Sequence, residues 1–201
     1  MIQFLIEAEV LSKAKLDLSG ADLSKANFFR ANLSKLDLSG VDLSHAYLSR
    51  ALLNDAKLIE ANLDKADLSD ADLSGVDLGY TNLRFVNFSG VDLSEADLSH
   101  ADLSYTNLSY ASLHNAYLTG ASLSYADLSY ADLNYADLRF VNFSGANLSS
   151  AHLSKANFFK ADLTGATVEA HTLKGAKLDG AKLPQGLSLE DIEAASNPQQ
   201  D

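Results

Sequence analysis

The fold is decided by Ala96-Asp97-Leu98-Ser99-His100, which runs straight on into Ala101-Asp102-Leu103-Ser104-Tyr105. The same five-residue phrase extends in both directions. From Leu16 to Gln185 the chain divides into 34 consecutive pentapeptides without an insertion or deletion. With the central residue of each called i, that position is Leu in 29 units, Phe at residues 28, 88, 143 and 158, and Val at 168. Position i-2 is Ala in 24 units, i-1 is Asp in 14 and Asn in 9, and i+1 is Ser in 18. Position i+2 varies, with Gly in nine units.

A period of five suits neither a long helix nor a long strand. Five residues turn an α-helix by about 500°, so successive Leu residues step round the cylinder and never share a face. In a continuous strand an odd period sends alternate Leu residues to opposite sides. A short extended piece followed by a bend does work. Residues i-2 and i then point inward together, i-1 points outward, and i+1 and i+2 turn the chain. The pattern therefore predicts an all-β solenoid with every Leu and Ala inside.

The unit Ala-(Asp/Asn)-Leu-Ser-X resembles the pentapeptide-repeat proteins over most of the chain, from Leu16 to Gln185, and in particular the cyanobacterial members with long uninterrupted arrays. The resemblance implies a right-handed quadrilateral β-helix with four units per coil, hence about 8.5 coils here. On such a scaffold each square layer sets four large i residues against four small i-2 residues. Asp or Asn at i-1 and Ser at i+1 are short polar side chains suited to bonding nearby backbone at tight turns. Gly at i+2 suits a sharp bend.

The expected domains are an N-terminal cap at 1–15, the β-helix at 16–185, and a C-terminal cap with its tail at 186–201. At the N-terminus Ile2, Phe4, Ile6, Ala8 and Val10 alternate as in a strand. Phe4, Leu5, Ala8 and Leu11 would also fit a helix. An extended cap is expected, together with a register slip near Asp17. At the other end Pro184 stops the repeat, and Ser188-Leu189-Glu190-Asp191 reads as a helix start with Ser188 as N-cap and Asp191 at N3. A helix from Leu189 to about Ala195 is predicted, folding Leu187, Leu189 and Ile192 over the last coil, followed by a disordered tail from Ser196 to Asp201. His171, at an i-2 position, puts a polar ring where Ala is usual. A satisfied or displaced His beside the cap is expected there.

The formal charge of -12 disfavours direct contact with nucleic acid or anionic lipid and favours solubility or a basic partner; an unidentified protein partner is expected. The first residues lack a basic n-region, and no run of ~18 apolar residues occurs, so no signal peptide or membrane span is expected and a cytoplasmic location is the default. The chain has no cysteine, which removes disulfides, thiolate ligands and a Cys nucleophile. The five histidines occupy four different repeat positions with no ligand spacing among them. No catalytic, cofactor-binding or metal-binding constellation is read, and no cofactor is expected.

What varies lies outside. At i+2, Lys25, Arg30, Lys35, Arg50 and Lys65 give way to Tyr80, Phe85, Tyr105, Tyr110, Tyr125, Tyr130, Tyr135 and Phe140. With four units per coil, Phe85, Tyr105 and Tyr125 form one column, and Tyr110 and Tyr130 another. These columns either cover the corners or form a partner-binding patch made of Phe85, Tyr105, Tyr110, Tyr125, Tyr130 and Tyr135. The segments 83–90 and 138–145 are identical, LRFVNFSG, and begin eleven units apart. Eleven is not a multiple of four, so the copies belong on different faces.

The expected function is a non-catalytic structural or protein-interaction solenoid, monomeric or a weak homodimer through an end cap. The resemblance also implies an alternative, since some members of the family are acidic DNA mimics that bind DNA gyrase. Two departures set this chain apart from those members: no loop interrupts the array, and the C-terminal segment is short for a dimerisation element.

Overall fold

The structure is a computed structural model that describes Leu18 and residues 20–195. The expected cap at 1–15, the slip near Asp17 and the tail at 196–201 lie outside the described residues. Within them, each i-1 residue from Asp22 to Asp162, His152 excepted, pairs by a parallel bridge with the i-1 residue four units further on, as Asp22 does with Asp42 and Asn27 with Tyr47. The column Asp22, Asp42, Asn62, Asn82, Asp102, Ser122, Asn142, Asp162, Lys182 is bridged at every step. Four pentapeptides therefore close each coil. At ~4.8 Å per coil the eight steps of that column make a rod about 38 Å long.

The unit around Leu98 shows why the repeat holds together. Asp97 donates its N–H back to Val76 O (2.9 Å), while Leu98 and His100 donate forward to Tyr117 O (2.7 Å) and Thr119 O (3.0 Å). Ala101 closes the turn by donating to Leu98 O (3.1 Å). Of the five backbone donors only the i+1 N–H has no carbonyl to reach, and Ser99 N–H donates instead to Asp97 Oδ1 (2.9 Å). The same Asx bond recurs along the rod, from Asp22 to Ser24 through Asn87 to Ser89 and Asp162 to Thr164. Asp or Asn dominates i-1 because its side-chain oxygen satisfies the one donor that the ladder omits.

The turn geometry reaches further than the glycines suggest. Coil after coil, the β-turns place i+2 in the left-handed region. Besides the glycines, 23 non-glycine corners among the described residues adopt it, with φ from 54° at Lys160 to 63° at Tyr105. Such a conformation costs roughly 1–2 kcal/mol for an L residue. It persists because the same residue's N–H is locked to the next coil, as at Tyr110 to Ser129 O (3.0 Å). Lys, Tyr and Phe carry no left-handed signature in the sequence, so this feature appears only in three dimensions.

Inside, the i and i-2 side chains from Leu23 to Ala166 form one continuous buried core, half-open only at its first turns. Phe88, Phe143 and Phe158 fit fully buried among the leucines. Val41, Val76, Val86, Val91 and Val141 fit equally well at i-2, so that slot admits β-branched side chains as well as Ala. The buried hydroxyls of Thr81 and Thr106 donate to Leu58 O (3.3 Å) and Leu103 O (2.7 Å).

The array is altered once without losing count. Ala170–Leu173 forms a 3-10 turn. His152 pairs with Asp132 on the preceding coil, and no bridge joins it to Thr172. His171 is displaced to a half-buried position while Leu173 stays fully buried. An imidazole is too large and polar for the Ala slot, so the backbone tightens around it. Pairing resumes at the same spacing with Asn157 to Lys177. Helix α1, Leu189–Ala194, follows, capped by Ser188 and Asp191 in a reciprocal capping box. Ile192 is buried and Leu187 packs on the core, but Leu189 is 56% exposed. The expectation that Leu189 covers the last coil is corrected: a six-residue helix turns Ile192 inward and leaves its first residue over the rim.

Candidate docking surface

The four corners of each coil carry four i+2 columns, and their side chains stack along the rod. Phe85 lies on Tyr105 and Tyr105 on Tyr125, each with ring centroids 5.2 Å apart and planes within 14° and 10°. At the next corner Tyr110 lies on Tyr130 at 5.0 Å and 4°. These centroids are too close for rings lying edge to edge, so each ring faces its neighbour in the next coil. Ring edges and hydroxyls are left toward solvent. Tyr110 is 66% and Tyr125 61% exposed.

A third corner holds Tyr135, with His114 against it edge-on (5.4 Å) and Lys155 Nζ donating to its hydroxyl (3.1 Å). At the fourth, Tyr80 stacks on His100 (4.9 Å), and Phe140 meets Phe159 beneath Lys160. The columns end where small corners follow: a Cβ at Gly145 would lie 2.7 Å from Tyr125 Cε1, and one at Gly120 equally close to His100 Nδ1. Each ring leans toward the C-terminal coil and occupies the space that a side chain there would need.

The structure thus brings Phe85, Tyr105 and Tyr125 along one edge of a single face and Tyr110 and Tyr130 along the other. Asn87, Asn107, Asp127 and Asn147 lie between them. Tyr135 sits one corner beyond. Sequence reasoning overlooked Arg84. Its guanidinium lies over Phe85 (5.3 Å) and Tyr105 (5.4 Å) and reaches Asp102 (3.3 Å). The signal available was an Arg at i+1 directly before an aromatic corner.

Electrostatics follow the same columns. Aspartates one coil apart pair at Asp22 and Asp42, Asp72 and Asp92, and Asp77 and Asp97. Elsewhere Asn amides relieve the repulsion, as Asn62 donates to Asp42 and Asn147 to Asp127, both at 3.0 Å. Partial burial pushes the Asp102 carboxyl up, but hydrogen bonds from Ser104 and the Arg84 guanidinium outweigh it and leave it below the usual range. Asp162, bonded by Lys182 and Thr164, is lowered to about 2.

A groove of about 700 Å³ runs between the last coil and α1, lined by Leu173, Leu178, Leu189 and Ile192 among others. Among the described residues no group of three or more His, Asp or Glu could hold a metal ion, and no helix is long and apolar enough to cross a membrane.

A family model for pentapeptide repeats matches in eight copies, over residues 11–44, 37–75, 66–104, 81–120, 96–134 and 136–170. The chain belongs to the pentapeptide-repeat family. Its solenoid is the family's right-handed quadrilateral β-helix. Among solved pentapeptide-repeat structures, HetL takes part in heterocyst differentiation regulation in the cyanobacterium Nostoc sp. strain PCC 7120. It is 30% identical over 86% of this chain and 89% of its own, with a TM-score of 0.47. QnrB1, a plasmid-mediated fluoroquinolone resistance protein, is 25% identical in a trypsin-treated form, over 90% and 92%, with a TM-score of 0.48. A pentapeptide repeat protein of the Arabidopsis thaliana thylakoid lumen is 32% identical over 54% and 69%, with a TM-score of 0.28. A search of curated proteins returns no match.

Proposed function

We propose that this pentapeptide-repeat protein is a non-catalytic protein-binding rod that docks its partner on the aromatic corners Phe85, Tyr105, Tyr110, Tyr125, Tyr130 and Tyr135. One observation carries the reading: two parallel ladders of exposed, mutually stacked rings border a single face. Contiguous aromatic surface of this kind marks interaction sites, and Tyr anchors bury a large area at little entropic cost. Because stacking uses up the ring faces, the ladders offer edges and hydroxyls. That suits polar protein surface better than sugars or bases, which bind by lying on a ring face. The test is a pull-down comparing wild type with a Tyr105→Ala, Tyr125→Ala, Tyr130→Ala variant. Loss of captured partner is expected, and an unchanged set of partners counts against the patch.

A second reading, DNA mimicry toward a DNA-handling enzyme such as gyrase, draws on the stacked carboxylate pairs and on the net charge of -12. The pairs are separated along their columns by Asn, Ser and Tyr residues. Their charge is therefore sparser than the one per ~1.7 Å of duplex DNA, which favours the first reading. A gyrase supercoiling titration decides it: no inhibition and no quinolone protection at micromolar protein sinks mimicry.

A further inference from the structure

The face bordered by the aromatic ladders has a second half. Toward the N-terminus the same two corner columns continue as Lys25, His45 and Lys65 on one edge and as Arg30 and Arg50 on the other, where Asp70 and Gly90 stand between Arg50 and Tyr110 and face each other under the symmetry described below. This face carries Asp67 and Asp127 in its central column and Asp70 on one edge, while Asp37, Asp77, Asp97 and Asp137 line the opposite face. We infer that the partner docking on this face is a second copy of the chain, laid antiparallel across it. The inference rests on the protein-binding reading above and names its partner.

The residue order is self-complementary under one operation, a two-fold axis lying across the face at right angles to the rod, between Asp67 and Asn87. Along one edge Lys25 then meets Tyr125 of the second copy, His45 meets Tyr105 and Lys65 meets Phe85. Along the other edge Arg30 meets Tyr130 and Arg50 meets Tyr110. In the centre Asn27 meets Asp127, Tyr47 meets Asn107 and Asp67 meets Asn87. Every basic corner faces an aromatic one, and each carboxylate of the central column faces an amide.

The three columns agree on where the axis lies. Their midpoints fall near residues 75, 77 and 80, within a quarter of a coil or about 1.2 Å of rise. A parallel arrangement fails, because it would set the Lys25 column against the Arg30 column of the other copy.

The chemistry of the contact already exists within one chain. Lys155 donates to the Tyr135 hydroxyl at 3.1 Å, and Arg84 lies over two rings. Within the chain Arg50 pairs with Asp70 (3.3 Å), Lys65 with Asp64 (3.4 Å), and Arg30 covers Phe29 (5.1 Å). All of these are exposed contacts that exchange readily with water. The overlapped stretch of the face, from Lys25 to Tyr130, is about five coils or ~24 Å long and at most ~16 Å wide, and it projects on the order of 400 Å² per copy before side-chain relief is added, about half the ~800 Å² per partner of a standard interface and in the range of a weak, concentration-dependent dimer.

The chain contains no cysteine, so engineered thiols report without background. Asn27→Cys and Asp127→Cys full-length proteins are purified separately, mixed, and oxidised with copper phenanthroline. A disulfide-linked dimer from the mixture and none from either protein alone is expected, since like positions in an antiparallel pair lie about five coils, or ~24 Å, apart. Adding Arg30→Glu and Arg50→Glu abolishes the cross-link. Sedimentation of the unsubstituted chain at tens of micromolar gives twice 21.5 kDa. A cross-link from Asn27→Cys alone overturns the antiparallel geometry. No mixed cross-link together with monomeric sedimentation overturns self-association. If the Tyr105→Ala, Tyr125→Ala, Tyr130→Ala variant still loses a different captured protein, the protein-binding reading stands and only this inference fails.

Discussion

Arg84 reaches forward one coil to Asp102 at 3.3 Å, whereas Arg139, at the same place in an identical LRFVNFSG segment, folds back two residues to Asp137 at 2.7 Å. The two segments have the same local conformation and the same turn. They differ in corner, because eleven units carry the second copy a quarter turn short of alignment. Asp102 stands beside Arg84, while the corresponding site one coil beyond Arg139 is occupied by Asn157 and Phe159. The choice follows both from the residue two back, Asn82 before Arg84 but Asp137 before Arg139, and from what stands one coil on.

The Asx bond separates the structural use of aspartate from its charge. Asp97→Asn keeps an oxygen for Ser99 N–H and removes a carboxylate one coil from Asp77. Its stability in urea is expected to equal or slightly exceed wild type. Asp97→Ala strips the donor's partner and should cost about 0.5–1.5 kcal/mol. Equal losses for both variants would show that the bond is not what selects Asp or Asn.

The left-handed corners carry removable strain. Glu95 adopts φ 61° without a ring stack, and its N–H bonds His114 O. Glu95→Gly relieves roughly 1–2 kcal/mol of left-handed cost against about 0.5–1 kcal/mol of extra chain entropy. A net gain on the order of 0.5 kcal/mol is expected in the urea midpoint, and a clear loss would contradict the strain.

Where a ring leans on a corner, the opposite holds. Gly145→Ala adds a Cβ 2.7 Å from Tyr125 and forces a φ of 70° on an L residue. About 1–2 kcal/mol should be lost, with a change in the near-ultraviolet circular dichroism of the stacked tyrosines. An unaltered tyrosine signal would mean that Tyr125 does not rest there.

Acid should unlock the last coils. The Asp162 carboxyl, held at about 2 by Lys182 and Thr164, ionises more readily folded than unfolded. Its contribution is present above the ordinary aspartate value of 3.8 and is lost as pH falls from there toward about 2. Thermal melts across that window should show a decline that Asp162→Asn flattens.

Much of the interior was legible in the residues. From Leu23 to Ala166 the i and i-2 side chains occupy near-equivalent buried environments, so one pentapeptide describes the others, and the helix start at Ser188 announces itself through its capping residues. The i-1 column was legible as turn chemistry, though not as the answer to one particular missing backbone bond. Ring columns followed once four units were assigned to each coil. Leu189 was misplaced because a helix start says nothing about which way so short a helix rolls.

By itself, then, the pentad determined the inward pair, the outward residue and the bend, because these depend on sterics within one unit. That four units close a coil is not contained in a period of five. It is decided by the parallel ladder, which bonds only when residue 97 lies beneath residue 117. From that closure come the neighbours one coil away: the stacked tyrosines, the carboxylate paired with an amide, and the face whose basic half matches its aromatic half. The left-handed corners arise the same way, imposed on Tyr, Lys and Phe by hydrogen bonds to a coil that local sequence does not specify.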